Sequence, residues 1–393
     1  MNWSGGLWRD AALLLSAAPL VYYILATVAA FRFFRQRQTQ VQTLPDYCPP
    51  VSLLKPVRGV DFGSRGNFVS FCKQNYPDYE ILFAVNGDRD PALPLIREIM
   101  AESPEGRIRV FTTAEELGAN RKVNKLAMLA REARHEVLVL TDGDVRVAPN
   151  YLRKVVAPLR EKKTGAVTSF YRAIAEENLY AKLEAVGAAS DFFAGVLMAR
   201  WTEGIRFALG ASIVTTKEWV RKMGGFEAIA DFLADDYELG LRIANAGGEI
   251  TLSPEAVWTM YPAQTWRHFW DHQMRWARTV RLCRPLSYLG LLFTQGLPWT
   301  VVAVLLAPAP WIAATYLAAY LALRFTMART VGVCGVRDQV LRENLWLVPM
   351  RDAIHFVVWL ASFGSNRIRW GSVEYAIRKG RMVPTLGSEK TAM

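Results

Sequence analysis

Glu136-Val137-Leu138-Val139-Leu140 runs directly into Thr141-Asp142-Gly143-Asp144-Val145-Arg146-Val147. A short apolar, β-branched run predicts a buried strand of a parallel sheet, and the carboxyl ends of such strands are where open α/β sheets bind ligands. Asp142 and Asp144 alternate with Gly143, so both carboxylates can turn toward one small hard cation. Mg²⁺ or Mn²⁺ held by one or two carboxylates keeps positions open for water and for the phosphates of a nucleotide substrate. The plainer reading is an Asp-Gly turn capping the helix expected from Pro149-Asn150.

Upstream, strand-like and helix-like segments alternate. Val51 to Leu54 reads as a strand ending at Lys55-Pro56, Gly66 to Asn75 as a helix, and Tyr79 to Val85 as the next strand. Pro91 to Glu102 is helical, Arg107 to Phe111 is strand, and Asn120 to Ala133 is helical. This alternation predicts an α/β fold, a mostly parallel sheet with helices on both faces and several strand ends sharing one edge.

Composition places part of the chain at a membrane. Of its 393 residues 52% are hydrophobic and 13 are tryptophan, and the mean hydropathy is +0.10. A net charge of +11 suits phosphate or anionic lipid. No helix-turn-helix, zinc-finger or RNA-recognition pattern is present, so nucleic acid is not an expected partner. Cys48, Cys72, Cys283 and Cys334 show no Cys-x-x-Cys spacing, and the four histidines form no His-Glu-x-x-His. That speaks against a zinc site, a disulfide framework or a zinc protease.

Ala11 to Phe31 is uncharged and apolar over about 21 residues, enough to cross a bilayer as a helix. Arg32, Arg35 and Arg37 follow, which puts the N-terminus outside and the next domain in the cytoplasm. Leu286 to Ala307 and Trp311 to Leu323, joined by Pro308-Ala309-Pro310, read as a membrane hairpin. Leu345 to Gly364 carries Arg351, Asp352 and His355, and is expected to be re-entrant or interfacial with its charges facing protein. Glu176 to Ala199 reads as a helix, in the core or on the bilayer, broken as a span by Glu184, Asp191 and Arg200. The expected organisation is an anchor (1–43), a cytoplasmic domain (44–285), a membrane hairpin with a re-entrant or interfacial helix (286–364) and a basic tail (365–393).

Three further motifs carry chemistry. Asn86-Gly87-Asp88-Arg89-Asp90-Pro91 is a polar turn where a carboxylate can accept hydrogen bonds from a ribose or a uracil N–H. Gly118-Ala119-Asn120-Arg121-Lys122-Val123-Asn124-Lys125 opens a helix with cations and amide donors suited to a diphosphate. Ala234-Asp235-Asp236-Tyr237 opens another; adjacent acids raise one another's pKa, which favours a base. Within Trp266 to Thr279, His272, Arg275 and Trp276 share a helix face, a cation for a leaving phosphate and a ring for sugar or lipid.

Over roughly residues 45 to 285 and the hairpin, this set resembles the membrane-bound, inverting sugar transferases that include ceramide glucosyltransferase. The match extends to the bacterial branch close to the hopanoid-biosynthesis glycosyltransferases, which Gly118 to Val123 and His272 to Thr279 resemble at least as much. The resemblance implies a nucleotide-diphospho-sugar transferase (GT-A, Rossmann-like) fold with N- and C-terminal transmembrane helices. It maps the family's second-strand aspartate to Asp88 (or Asp90), its metal and nucleotide aspartates to Asp142 and Asp144, and its catalytic base to Asp236. Its Gln/Arg-x-x-Arg-Trp motif maps to His272-Gln273-Met274-Arg275-Trp276, departing at His272.

The reading that follows is transfer of a sugar, glucose first, from a UDP-sugar to the hydroxyl of a membrane lipid, ceramide first, with inversion to a β-glycoside. Lys55, Asp88, Lys122, Asp142, Asp235, Arg275 and Trp276 would bind the nucleotide sugar, Asp142 and Asp144 would hold Mg²⁺ or Mn²⁺, and Asp236 and Arg275 would be catalytic. His272, Gln273 and Trp276 would serve the acceptor or complete the motif. Alternatives are a hopanoid or other lipid acceptor, with N-acetylglucosamine as donor sugar; a processive polysaccharide synthase; and a nucleotide-sugar-binding membrane scaffold. The expected setting is a bacterial inner membrane, crossed several times; oligomeric state is left open.

Overall fold

The computed structural model describes residues 3–40, 46–103, 106–112, 116–370 and 373–384. Residues 41–45, at the expected boundary between anchor and cytoplasmic domain, and 385–393, the end of the expected tail, lie outside the described residues. The chain divides into two compact units, one of residues 37–174, 204–262 and 372–393, the other of residues 1–36, 175–203 and 263–371.

In the first unit the sheet strands are, in chain order, β1 (Val51–Pro56), β2 (Tyr79–Val85), β3 (Ile108–Thr112), β4 (Val137–Thr141), β5 (Val145–Arg146), β6 (Thr164–Ala175), β7 (Ser212–Thr216) and β8 (Glu249–Tyr261). They lie in the order β3-β2-β1-β4-β7-β6-β8-β5. β1 pairs in parallel with β2 and β4, and β2 with β3. Every residue of β1, β2 and β4 is buried, as expected of mostly apolar strands covered on both faces, and the buried polar side chains Ser52 and Glu80 bond each other at 2.8 Å.

Beyond β4 the pairing turns antiparallel, at β4 with β7, β7 with β6 and β8 with β5. Ser212-Ile213-Val214-Thr215-Thr216 is the β-branched run that places β7 there. The helix Arg121–Glu132 buries Val123, Leu126 and Ala127, spaced i, i+3, i+4, in a core with Leu82, Leu140 and Ile213. Burying each such leucine or valine contributes about 1.5–3 kcal/mol.

The segment expected as a basic tail is folded. It forms β9 (Arg367–Trp370) in the second unit and, in the first, a hairpin of β10 (Val373–Arg378) and β11 (Arg381–Pro384). Lys379 and Gly380 supply the turn at φ 50° and 78°, the two positive values that a two-residue type I′ hairpin requires.

The second unit holds the apolar helices. Among the described residues, Gly6–Arg35 and Pro310–Val336 are each long and apolar enough to cross a membrane. The expected arm at Leu286 to Ala307 is two helices, Pro285–Thr294 and Gly296–Leu306, bent by 50°. The Gly296 N–H at that bend donates to Tyr23 Oη at 2.8 Å. Leu286, Leu305, Trp8 and Trp311 point outward, 70–82% exposed, as side chains facing lipid would be.

Arg351 and Asp352, on the helix Val348–Ser362, both face protein. Arg351 Nη2 donates to Gln273 Oε1 at 2.6 Å, while Asp352 accepts from Arg324 Nη2 at 2.7 Å, Arg324 Nε at 2.9 Å and Tyr320 Oη at 2.9 Å. The helix expected from Glu176 runs as Leu179–Gly187, a π turn at Ala188–Phe192, and Phe193–Thr202. The π turn presents the Ser190 carbonyl to Arg324 Nη1 at 3.1 Å.

Candidate active site

Three segments of the first unit meet at the carboxyl edge of β1 and β4. Asp142 and Asp144 occupy the turn between β4 and β5, where the Val145 N–H closes on the Asp142 carbonyl at 3.3 Å. Lys122 stands in the first turn of the helix Arg121–Glu132 and Asp235 in the first turn of the helix Asp235–Asn245. Lys122 Nζ reaches Asp142 Oδ1 at 2.6 Å and Asp235 Oδ2 at 3.4 Å. One ammonium thus joins two of the sequence motifs, and a small pocket is lined there by Pro56, Lys122, Asp142, Gly210 and Asp235.

Electrostatics separate the acids into roles. Burial works to discharge Lys122, and the Asp142 and Asp235 carboxylates outweigh it, holding the ammonium above the ordinary lysine range. Burial lifts Asp144 from its ordinary 3.8 to about 7, and the Asp142 charge pushes the same way. Asp236 rises to about 6, through burial first and the neighbouring Asp235 charge second, with Lys122 pulling it back. Asp236 accepts the Tyr237 N–H on Oδ1 at 2.8 Å, and a Cβ on Gly210 would lie 3.1 Å from its Oδ2. A carboxylate in this state gives up and takes a proton near neutrality, as a base must.

Among the described residues no group of three or more His, Cys, Asp or Glu side chains encloses a metal site. Two hard oxygen donors without a closed cage, one of them raised in pKa by burial and by its neighbour's charge, fit a small divalent cation whose shell substrate phosphates complete.

Lys55 is placed differently from the expectation that it binds nucleotide. It is fully buried beneath the edge, where its Nζ donates to Thr141 Oγ1 and to the Asp142 carbonyl, both at 3.0 Å, and lies 3.8 Å from the centre of the Phe71 ring. Burial lowers it to about 7. Its contacts hold the aspartate turn from below and leave no exposed surface for a ligand. Asp88 is exposed on the turn after β2. Its neighbour Asp90 is buried and accepts the N–H groups of Gly59, Asn86 and Ala92 at 2.8–3.0 Å, which makes it a scaffold for that turn.

Asn120, absent from the expected site residues, organises the edge. Its Oδ1 accepts from the Lys122 and Val123 N–H groups, and its Nδ2 donates to the Phe232 carbonyl at 2.8 Å and Asp235 Oδ1 at 3.4 Å. It caps the helix carrying Lys122 and tethers the loop carrying Asp235 in one side chain. Its position before a helical run was the signal in the sequence. Gly118 allows the close approach, since a Cβ there would lie 2.7 Å from the Ala230 carbonyl.

The remaining expected residues lie on the helix Trp266–Cys283 of the second unit. His272 Nδ1 pairs with Glu184 Oε1 at 2.5 Å, and Glu184 Oε2 accepts from Gln264 at 2.6 Å. Gln273 is buried and held by Arg351, Arg275 is half-buried, and Trp276 is 40% exposed with its ring 5.6 Å from those of Phe192 and His272. Glu184 was noted in the sequence only as a charge that breaks a span.

The sequence profile of glycosyl transferase family 21 matches residues 11–383. This chain belongs to glycosyl transferase family 21. Among family relatives it is 23% identical over 259 residues to ceramide glucosyltransferase 1 of Caenorhabditis elegans, covering 66% of this chain and 55% of that one. It is 26% identical over 280 residues to the probable glycosyltransferase YdaM of Bacillus subtilis, covering 66% and 62%. The chain spans about half the length of the nematode relatives it matches. Among solved structures, a mannosyltransferase of Pyrobaculum calidifontis in complex with GDP-mannose and Mn²⁺ superposes with a TM-score of 0.50 at 17% identity, over 89% of this chain and 98% of that one. The family 21 chain therefore has the GT-A fold.

Proposed function

We propose that this family 21 chain transfers a sugar, glucose in the first reading, from a UDP-sugar to the hydroxyl of a membrane lipid, ceramide in the first reading, with inversion to a β-glycoside. The observation that carries the reading is the junction of Lys122, Asp142 and Asp235 at the sheet edge, with Asp236 beside it at a pKa of about 6. An inverting nucleotide-sugar transferase needs a diphosphate clamp and a base in one place, and Lys122 and Asp236 at this edge support that reading. The ceramide glucosyltransferase relatives and the nucleotide-sugar complex of the mannosyltransferase support the same direction.

In this mechanism Asp236 accepts the proton of the lipid hydroxyl. The freed oxygen forms a bond to the anomeric carbon as the bond from that carbon to the diphosphate oxygen breaks, and UDP departs from the opposite face. Lys122 holds the diphosphate and shields it from Asp142 and Asp235. Asp142 and Asp144 would hold Mg²⁺ or Mn²⁺, which when bound neutralises charge on the leaving diphosphate. The roles of Arg275 and Trp276, a cation for that diphosphate and a ring for sugar or lipid, rest on the sequence motif, as does the Asp88 contact to uridine. The apolar helices fit a lipid acceptor: each CH₂ drawn from the bilayer costs about 0.8 kcal/mol, so the chemistry has to come to the interface. The arginines after the first span favour an inner-membrane enzyme with this site in the cytoplasm.

The test is release of UDP by protein in detergent, measured with and without ceramide. Release that requires lipid and is lost in Asp236→Asn supports the reading; nucleotide-sugar binding with no release under any lipid condition points to the scaffold instead.

A further inference from the structure

The loop leading into the acidic pair is held on two flanks. On one, the Asn120 N–H donates to the Ala230 carbonyl at 2.7 Å, the Ala119 N–H to Asp231 Oδ1 at 3.1 Å, and Asn120 Nδ2 to the Phe232 carbonyl. On the other lies the C-terminal hairpin. The Met382 N–H donates to the Asp231 carbonyl at 2.7 Å, and Arg381 and Phe232 form an antiparallel bridge. Two guanidinium groups lie over the Phe232 ring, Arg381 at 5.3 Å and Arg242 at 5.5 Å from its centre, and a Cβ on Gly380 would be 3.4 Å from it.

The hairpin's geometry suits this contact. Arg378 pairs with Arg381 across the two-residue turn, so the next pair, Ile377 with Met382, is a non-hydrogen-bonded one. The Met382 N–H therefore points away from β10, free for Asp231. Met382, Tyr375 and Ile377 are buried, so the hairpin is seated by apolar packing and by a backbone bond together.

We infer that the C-terminal hairpin is a positioning strap for Asp235 and Asp236, with Arg381 its principal side chain. It fixes residues 231 and 232, three positions before the acids, and the helix they open inherits that fixation. None of the strap's residues touches substrate in this scheme; Arg381 acts through Phe232 on the placement of the base. The inference rests on the proposed assignment of Asp236, and it names a dependence of that site on the hairpin of β10 and β11.

The test uses full-length protein in detergent and variants Arg381→Ala, Arg381→Lys and Arg378→Ala, with deletion of residues 373–393 as the stronger perturbation. Two quantities are read: steady-state transfer, and amide hydrogen exchange of a peptide spanning residues 230–236. Arg381→Ala should lower kcat about tenfold while moving the KM of either substrate less than about twofold, the pattern of a misplaced catalytic group. The 230–236 amides should exchange faster while those of β1 and β4 do not; Arg381→Lys should recover most of both, and Arg378→Ala should match the parent. Unchanged exchange at 230–236 in both Arg381→Ala and the deletion overturns the strap. So does faster exchange with an unchanged kcat. Absence of transfer by the parent protein refutes the proposed function instead, and the exchange measurement still decides whether the hairpin holds the loop.

Discussion

Asp235→Asn is the most informative perturbation of the proposed site, because it alters the base without touching it. Asp236 stands at about 6, raised from 3.8 by burial and then by the Asp235 charge. A base with that pKa is about 90% ionised at pH 7 and about 10% at pH 5, so kcat/KM should fall close to tenfold per pH unit below 6. Removing one adjacent negative charge stabilises the ionised form of Asp236 and should carry the acid limb down by about one pH unit. Asp235 also competes with the diphosphate for Lys122, 3.4 Å away, so KM for the nucleotide sugar should fall or stay level while the limb moves. The assay is kcat/KM for the donor between pH 4.5 and 8 at saturating lipid and metal, on parent, Asp235→Asn and Asp236→Asn. A limb that stays in place in Asp235→Asn, or one that persists in Asp236→Asn, refutes Asp236 as the titrating base.

Asp236→Asn itself should lower kcat by about 10²-fold or more with UDP affinity nearly unchanged, checked by calorimetric titration beside the turnover assay. Stripping divalent cations with a chelator should abolish transfer and Mn²⁺ or Mg²⁺ restore it, while Asp142→Asn/Asp144→Asn should no longer respond to either ion. Lys55→Met should lower kcat by about tenfold through a displaced Asp142 turn, leaving UDP affinity the less affected quantity, because the lysine has no exposed surface. Arg324→Ala leaves the Asp352 carboxylate buried without its guanidinium, costing about 3–5 kcal/mol, and Arg324→Met/Asp352→Leu should recover most of the loss in the thermal midpoint.

Much of the sheet could be read from the chain because its parallel half is written in runs that admit one interpretation. Tyr79–Val85, apolar but for Glu80, and Val137–Thr141, apolar up to Thr141, are bounded by polar turns, and both form strands where expected. The antiparallel strands β6 and β8 carry polar residues within them, Thr168, Ser169 and Arg172 in one and Thr251, Ser253 and Glu255 in the other, so their pattern does not separate them from loop. The carboxylates were legible as motifs, whereas their junction was not: nothing in local spacing says that Lys122 bonds Asp142 and Asp235, contacts made by residues 20 and 113 positions apart. Lys55 misled because a lysine at a strand end ordinarily points to solvent, and only the packing of Phe71 and Thr141 shows it buried. The hairpin at Lys379-Gly380 was hidden by the charge of residues 365–393, since basic side chains on an exposed strand face look like a solvated tail. The π turn at Ala188–Phe192 was not legible either, since the contact its Ser190 carbonyl makes with Arg324 joins residues 134 positions apart.

The central claim is lipid glycosylation by a sugar nucleotide at the Asp142, Asp144 and Asp236 edge. Its most direct test offers radiolabelled UDP-glucose and UDP-N-acetylglucosamine to purified protein with ceramide, diacylglycerol and hopanoid acceptors and either metal. The account predicts a labelled lipid, glucosylceramide in its first form, lost in Asp236→Asn and on chelation. A labelled hopanoid or diacylglycerol keeps the mechanism and changes the acceptor; no labelled lipid from any pair with metal present, or a labelled polymer in its place, contradicts it.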